Sequence, residues 1–180
     1  MKILRAAERI AQPWKNGGGV TREVAVWPPD AGIDTFDWRV SIAEVQSAGP
    51  FSHFAGIDRT LAVLEGRMAL AFADRTVELD ADSPPFAFAG DVACCGTPIG
   101  GAVTDLNVMT RRGRCTARVE RIAGETFSAS AATMLVAPVK MTVGFGKEKL
   151  FLNCLDAVFD ENGGTFSLPG THKAFTVYFF

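Results

Sequence analysis

Leu61 to Phe72 reads LAVLEGRMALAF, two runs of alternating apolar residues hinged on a single glycine, Gly66. Alternation with period two puts every second side chain on one face of an extended chain, and glycine accepts the positive φ that a sharp reversal needs. The segment therefore predicts two antiparallel strands, Thr60 to Glu65 and Arg67 to Ala73, joined as a tight hairpin. The same pattern recurs outward in both directions. Runs rich in Val, Leu, Phe and Thr, bounded by Gly, Pro, Asp or Asn, fall at Thr21 to Trp27, Trp38 to Val45, Phe86 to Ala89, Val103 to Arg111, Thr142 to Phe145 and Ala174 to Phe180. Helical periodicity is nearly absent, so the expectation is an all-β protein built as a sandwich or barrel.

With 180 residues and 48% hydrophobic content the chain can bury a core without covalent staples. Lys and Arg number 18 against 20 Asp and Glu, with no block of like charge. The basic footprint of a nucleic-acid or anionic-membrane binder is missing, and small-molecule or protein partners are favoured. Met1 to Ala11 lacks the apolar core and small-residue cleavage site of a secretory leader, and no apolar run is long enough to span a bilayer; a cytoplasmic protein is expected. Cys94 and Cys95 are neighbours, their Cα atoms about 3.8 Å apart and too close for an ordinary disulfide. Cys115 and Cys154 form no CxxC pair, and all four read as free thiols. His53 and His172 are the only histidines, so the spacing of a metal site is absent and neither metal nor cofactor is expected.

Four segments carry candidate chemistry. In PWKNGGG, Pro13 to Gly19, three glycines serve either a flexible turn or a bare backbone approached closely by a ligand, and Lys15, Asn16 and Arg22 surround them with donors. Along Val103 to Arg111, alternation puts Val103, Asp105, Asn107, Met109 and Arg111 on one face, which is either solvated or the polar stripe of a ligand-binding interior. Trp38 to Val45 likewise sets Arg39 and Ser41 opposite Trp38, Val40 and Ile42. The loop Gly49 to Arg59, GPFSHFAGIDR, carries Ser52, His53, Asp58 and Arg59 among Phe51 and Phe54 and can close over a pocket. Adjacent Ser52 and His53 without a GxSxG elbow argue against a Ser–His–Asp hydrolase.

Five segments in order, PWKNGGGVTRE (Pro13 to Glu23), DWRVSIA (Asp37 to Ala43), FSHFAGIDR (Phe51 to Arg59), LAVLEG (Leu61 to Gly66) and DLNVMTRRG (Asp105 to Gly113), resemble the HutD/Ves family. They span about the first two-thirds of the chain, and no motif matches beyond about Arg114. One departure is Ala55, where the family more often carries proline. The resemblance implies a cupin-type fold, a bicupin of two small antiparallel β-barrels packed together. Residues 1–113 would form the N-terminal barrel carrying the motifs, and 114–180 a second, smaller β-unit completed by N-terminal strands. The HxH and downstream histidine of metal-dependent cupins have no counterpart here. Members named HutD look like accessory proteins of histidine utilisation that sense or limit intermediates such as N-formylglutamate, and members named Ves are tied to stress response.

The leading expectation is metal-independent binding of a small anionic metabolite, N-formylglutamate, formate or urocanate, by a regulator of histidine utilisation. The expected ligand-binding residues are Trp14, Lys15, Asn16, Gly17, Gly18, Arg22, Arg39, Ser52, Phe54, Asp58, Arg59, Asp105, Asn107, Met109 and Arg111. Arg39, Arg22 or Lys15 would meet carboxylates, Asn16 and Asn107 would read amide or formyl oxygens, Asp105 would orient donors, and Trp14, Phe51 and Phe54 would exclude water. Two other readings compete: an enzyme acting on a related acid, with Lys15 or Asp105 as acid or base, and a chain acting only through a protein partner. A homodimer through a β-edge or the apolar tail Phe175 to Phe180 is a further expectation.

Overall fold

The computed structural model describes residues 1–180. The chain begins with β1 (Lys2–Leu4) and one 3-10 turn (Ala6–Glu8). It continues through β2 (Ala11–Pro13), β3 (Gly19–Trp27), β4 (Trp38–Val45), β5 (Gly49–Pro50), β6 (Ile57–Glu65), β7 (Arg67–Ala71), β8 (Thr76–Asp80), β9 (Phe86–Ala89), β10 (Cys95–Pro98) and β11 (Val103–Arg111). Three strands, β4, β9 and β11, have the bounds expected from alternation alone. No helix is long and apolar enough to cross a membrane.

The chain divides into two compact units, Ile10–Cys115 and Met1–Arg9 with Thr116–Phe180. In the first, an antiparallel six-stranded sheet of order β2-β3-β4-β11-β6-β9 faces a four-stranded sheet of order β5-β10-β7-β8. Ala43, Val45, Leu61, Val63 and Val103 of the larger sheet meet Met68, Leu70 and Leu79 of the smaller in one core.

The segment LAVLEGRMALAF is not a hairpin. Strand β6 bonds to β11 and β9, whereas β7 bonds to β8 and β10, so the chain crosses between sheets at Gly66. Both halves aim their alternating residues into the same core, Leu61 and Val63 from one and Met68 and Leu70 from the other. A hairpin and a sheet crossing therefore share one pattern, and alternation does not separate them. Gly66 has φ +85°, and a Cβ there would stand 2.7 Å from the Ala102 carbonyl oxygen. Gly66→Ala is expected to cost about 2 kcal/mol, seen as a lower urea midpoint at unchanged m-value.

The second unit contains β12 (Ala117–Ala123), β13 (Thr126–Ser128), β14 (Thr133–Val136), β15 (Met141–Phe145), β16 (Glu148–Leu152), β17 (Ala157–Asp160), β18 (Thr165–Ser167) and β19 (Lys173–Phe179). Its sheets run β1-β17-β14-β19-β12 and β13-β18-β15-β16. Ile122, Leu135 and Val158 of one pack with Val143, Leu150 and Phe166 of the other. The first nine residues belong to this unit because β1 pairs along β17, Lys2 opposite Phe159 and Leu4 opposite Ala157. The apolar tail is an interior strand: β19 lies between β14 and β12, with Ala174 through Phe179 buried. Strands β15 and β16 form a hairpin, with Phe145 opposite Glu148 and Gly144 opposite Lys149.

Candidate functional site

In the first unit, the inner face of the larger sheet lines a cavity of about 690 Å³, a size typical of small-molecule sites. Strand β11 supplies its centre. Alternation sends Asp105, Asn107 and Met109 inward, and the ladder sets their neighbours. Met109 lies between Arg39 of β4 and Arg59 of β6, Asn107 between Ser41 and Leu61, and Asp105 between Ala43 and Val63. Trp14, Lys15 and Asn16 of the turn before β3, Ile33, and Pro50 to Ser52 with Phe54 add to the lining, together with Gln12, Pro13 and Thr21.

Arg59 is a buried cation, 5% exposed. Its guanidinium carbon stands 4.7 Å from the Phe51 ring centroid, 5.3 Å from Phe88 and 5.9 Å from Phe54. The negative faces of these rings offset part of the lost hydration and hold the plane of the group. Gly96 makes room for the nearest ring, since a Cβ there would come 2.5 Å from Phe51. Nη1 donates to the Ser52 carbonyl at 3.4 Å, while Nε is buried without a partner. Burial lowers the pKa to about 10, with Asp105 acting in the opposite sense, so the group is cationic at neutral pH.

Asp105 is 1% exposed, and neither carboxylate oxygen has a hydrogen-bond partner. Its ladder neighbours, Ala43 and Val63, have no side-chain donor to give. Desolvation raises its pKa to about 7, against the opposing pull of the Arg59 charge. Asn107 Oδ1 is also buried and unpartnered. Such atoms are few in native proteins and each calls for a cause. Four of the six such atoms belong to Arg59, Asp105 and Asn107, which line this one cavity; the other two are Arg9 Nε and Thr176 Oγ1. Arg39 Nε donates to Glu23 Oε2 at 2.7 Å, and the β-bulge between Glu23 and Ala25 brings Glu23 opposite Ser41.

Of the residues singled out from sequence, Trp14, Lys15, Asn16, Arg39, Ser52, Phe54, Arg59, Asp105, Asn107 and Met109 line the cavity, and Gly17, Gly18, Arg22, Asp58 and Arg111 do not. The glycines serve the chain itself. Gly17 turns at φ +70°, the Gly18 amide donates to Asn16 Oδ1 at 3.0 Å, and a Cβ on Gly19 would stand 2.5 Å from the Glu44 carbonyl oxygen. Arg22 pairs with Ile42, on the opposite face of the sheet from Thr21 and Ala43. Asp58 is exposed and meets Arg112 at 2.7 Å rather than Arg59. Arg111 donates from Nε to the Phe36 carbonyl and from Nη2 to the Asp34 carbonyl, both at 2.8 Å, and so ties down the loop before β4.

Ser41 and Ala43 share the Arg39 face by alternation, and Phe51 sits in the FSHFAGIDR motif; no sequence signal marks Ile33 or Gln12 as lining residues. His53 is exposed outside the lining, and nowhere do three His, Cys, Asp or Glu side chains gather as a metal set.

Paired antiparallel sheets facing across a core, with a polar cavity on the inner face of one, define a cupin-type protein. A cupin 2 conserved barrel domain protein from Leptotrichia buccalis shares this fold at a TM-score of 0.60 and 6% identity, over 99% of this chain and 95% of that one. The HutD family model matches residues 6–177, and the chain belongs to the HutD family. HutD from Pseudomonas fluorescens SBW25, whose structure is described as a formate condition, is 31% identical with a TM-score of 0.85, covering 99% of this chain and 97% of that one. Protein Ves of Citrobacter koseri is 41% identical over 117 residues, 64% of this chain and 60% of that protein's length. A 21.2 kDa protein from the hutC 3′ region of Pseudomonas putida is 36% identical over 140 residues, 76% of this chain and 72% of that protein.

Proposed function

We propose that the cavity of the first unit binds a small anionic metabolite without a metal, and that this binding makes the protein a HutD-like regulator of histidine utilisation. The observation that carries the reading is the set of buried, unpartnered polar atoms of Arg59, Asp105 and Asn107 lining one cavity. Lys15, Arg39 and Arg59 bring three cations to the lining against one lining carboxylate, Asp105, with Glu23 engaged by Arg39. In a site shielded by aromatic rings each charge-assisted hydrogen bond is stronger than in water. Family membership and the name of the Pseudomonas putida relative support the pathway, for which N-formylglutamate, urocanate and formate are the candidate ligands.

Calorimetric titration of the protein with N-formylglutamate, urocanate, formate and glutamate tests the reading. Saturable binding of at least one is expected, with a loss of about 10-fold or more in Arg39→Ala at an unchanged melting temperature. Wild-type affinity in the folded variant would remove Arg39 from the site, and silence across the panel would remove the function. One observation favours catalysis as a second reading: a carboxyl with a pKa of about 7 lies in the range where a side chain exchanges protons at neutral pH. Recovery of a chemically altered ligand after incubation would support it, and recovery of the unchanged ligand would not.

A further inference from the structure

We infer that Arg112, which lies outside the cavity, is a positioning residue: it latches the loop of residues 51–56 over Arg59, and release of this latch is how a ligand reaches the guanidinium. The latch stands on geometry alone, whereas its part in ligand entry rests on the ligand-binding reading above.

Arg59 Nε, both Asp105 oxygens and Asn107 Oδ1 are buried, so in this conformation they are shut off from any incoming molecule. A neighbouring segment has to move before they meet one. Arg59 is walled by Phe51, Phe54 and Phe88. Phe88 is held in the ladder, where β9 pairs it with Arg59 itself. Phe51 and Phe54 sit instead in residues 51–56, a stretch without strand pairing in which Ser52, His53 and Ala55 are exposed. Ser52 and Phe54 of this stretch line the cavity. Segments with few ladder bonds open at a lower free energy than the sheets beside them.

The contacts that hold the loop are polar. At its start the Phe51 amide donates to the Cys94 carbonyl at 2.9 Å, and further along the Phe54 amide donates to the Gly90 carbonyl at 2.8 Å. Its far end is gripped by Arg112. The Arg112 amide donates to the Gly56 carbonyl at 3.0 Å, and Nη2 to the Ile57 carbonyl at 3.2 Å. Nη1 and Nη2 fork onto the two Asp91 oxygens at 2.8 and 3.0 Å, and Nε donates to Asp58 at 2.7 Å. Asp91 accepts in turn from the Gly56 amide at 3.4 Å, at the point where the loop turns with φ +69°. The Arg112 hydrogen bonds hold the Asp91 carboxyl well below the usual carboxylate range. A forked guanidinium–carboxylate pair fixes geometry, yet in contact with water it contributes little to stability. Such a contact sets where the loop rests and still lets it open.

Phenylglyoxal, a dicarbonyl that condenses with accessible guanidinium groups, tests the latch without a ligand, its adducts mapped by mass spectrometry. In Arg112→Met the rate at Arg59 is expected to rise about 5- to 10-fold over wild type, with Arg112→Lys between them because an ammonium cannot fork. Asp91→Asn, which alters the other side of the pair, should shift the rate in the same direction, and thermal melts confirm that the variants fold. Arg39 lines the same cavity from β4, held there by Glu23, and should react at an unchanged rate. For whichever acid of the calorimetric panel binds, association and dissociation rate constants in Arg112→Met should rise together by about 5- to 10-fold, leaving Kd within about 2-fold. An Arg59 rate unchanged in both Arg112→Met and Asp91→Asn would overturn the latch. Equal acceleration at Arg39 and Arg59 would show a general loosening of the unit and overturn it as well. Faster modification with unchanged binding kinetics would uphold the latch and overturn its part in entry. Faster modification with none of the acids bound would uphold the latch and overturn the ligand-binding reading.

Discussion

Asp105→Asn is expected to make the unliganded protein more stable, with the gain widening as pH rises from about 4 to 7. The folded-state pKa of Asp105 is raised from 3.8 to about 7 by burial. At pH values below 3.8 both folded and unfolded chains hold this proton, and the group contributes no penalty. As pH rises the unfolded chain releases it first while the folded chain retains it, so stability falls by up to about 1.4 kcal/mol per pH unit. Above pH 7 the folded chain has also ionised and the accumulated loss levels off, on the order of 4 kcal/mol. Asparagine carries no such titration. Urea midpoints for wild type and variant at pH 4.5, 6 and 7.5 should therefore diverge progressively. Parallel curves would show that Asp105 is not the group that titrates. A carboxylate kept at this cost in an aromatic-walled cavity is a stability deficit of the kind retained for binding or chemistry.

How far this site was legible in the sequence depends on the residue. Strand β11 is readable from its pattern because polar Asp105 and Asn107 alternate with apolar Leu106 and Val108. Alternation placed them on one face but left open whether that face is wet or enclosed. What encloses it is long-range: Phe51 stands over Arg59, and Phe88 reaches the same guanidinium from the edge strand β9. The glycine triplet reads equally as a turn or as a backbone approached closely, because glycine marks both; Gly17 turns at φ +70°, and the atoms that approach Gly19 are the chain's own, the Glu44 carbonyl and the Trp14 ring. Asp58 and Arg59 are adjacent and of opposite charge, yet a strand sends neighbours to opposite faces, so Arg59 enters the cavity while Asp58 meets Arg112 outside. Gly66 shows the same limit for topology, since a sheet crossing and a hairpin need the same alternation. In the second unit, strands of three to five residues such as β13, β14 and β18 are too short for periodicity to declare, and the pairing of β1 with β17 spans nearly the whole chain.

Arg59→Met is expected to abolish ligand binding, by more than about 100-fold, while leaving a folded protein in which Asp105 titrates well above pH 7. Methionine suits the slot among Phe51, Phe54 and Phe88 because an unbranched thioether packs well against aromatic rings. The guanidinium is the one cation whose pull opposes the desolvation of Asp105; without it the carboxyl stays protonated through neutral pH, and the loss of stability, which still begins near pH 3.8, continues to higher pH. Asp105→Leu has the converse effect and leaves a buried cation without its neighbouring carboxylate. Combining the two removes both charges at once. Replacing a buried charged pair by apolar groups is often neutral or stabilising, whereas removing one member exposes the other's full desolvation cost. The double variant should therefore be at least as stable as wild type at pH 7.5, with a coupling of about 1–3 kcal/mol in the double-mutant cycle. It should bind none of the acids in the panel. Strictly additive stability changes would show that Arg59 and Asp105 do not act on each other, whereas a stable double variant without affinity would show that this pair is retained for the ligand and not for the fold.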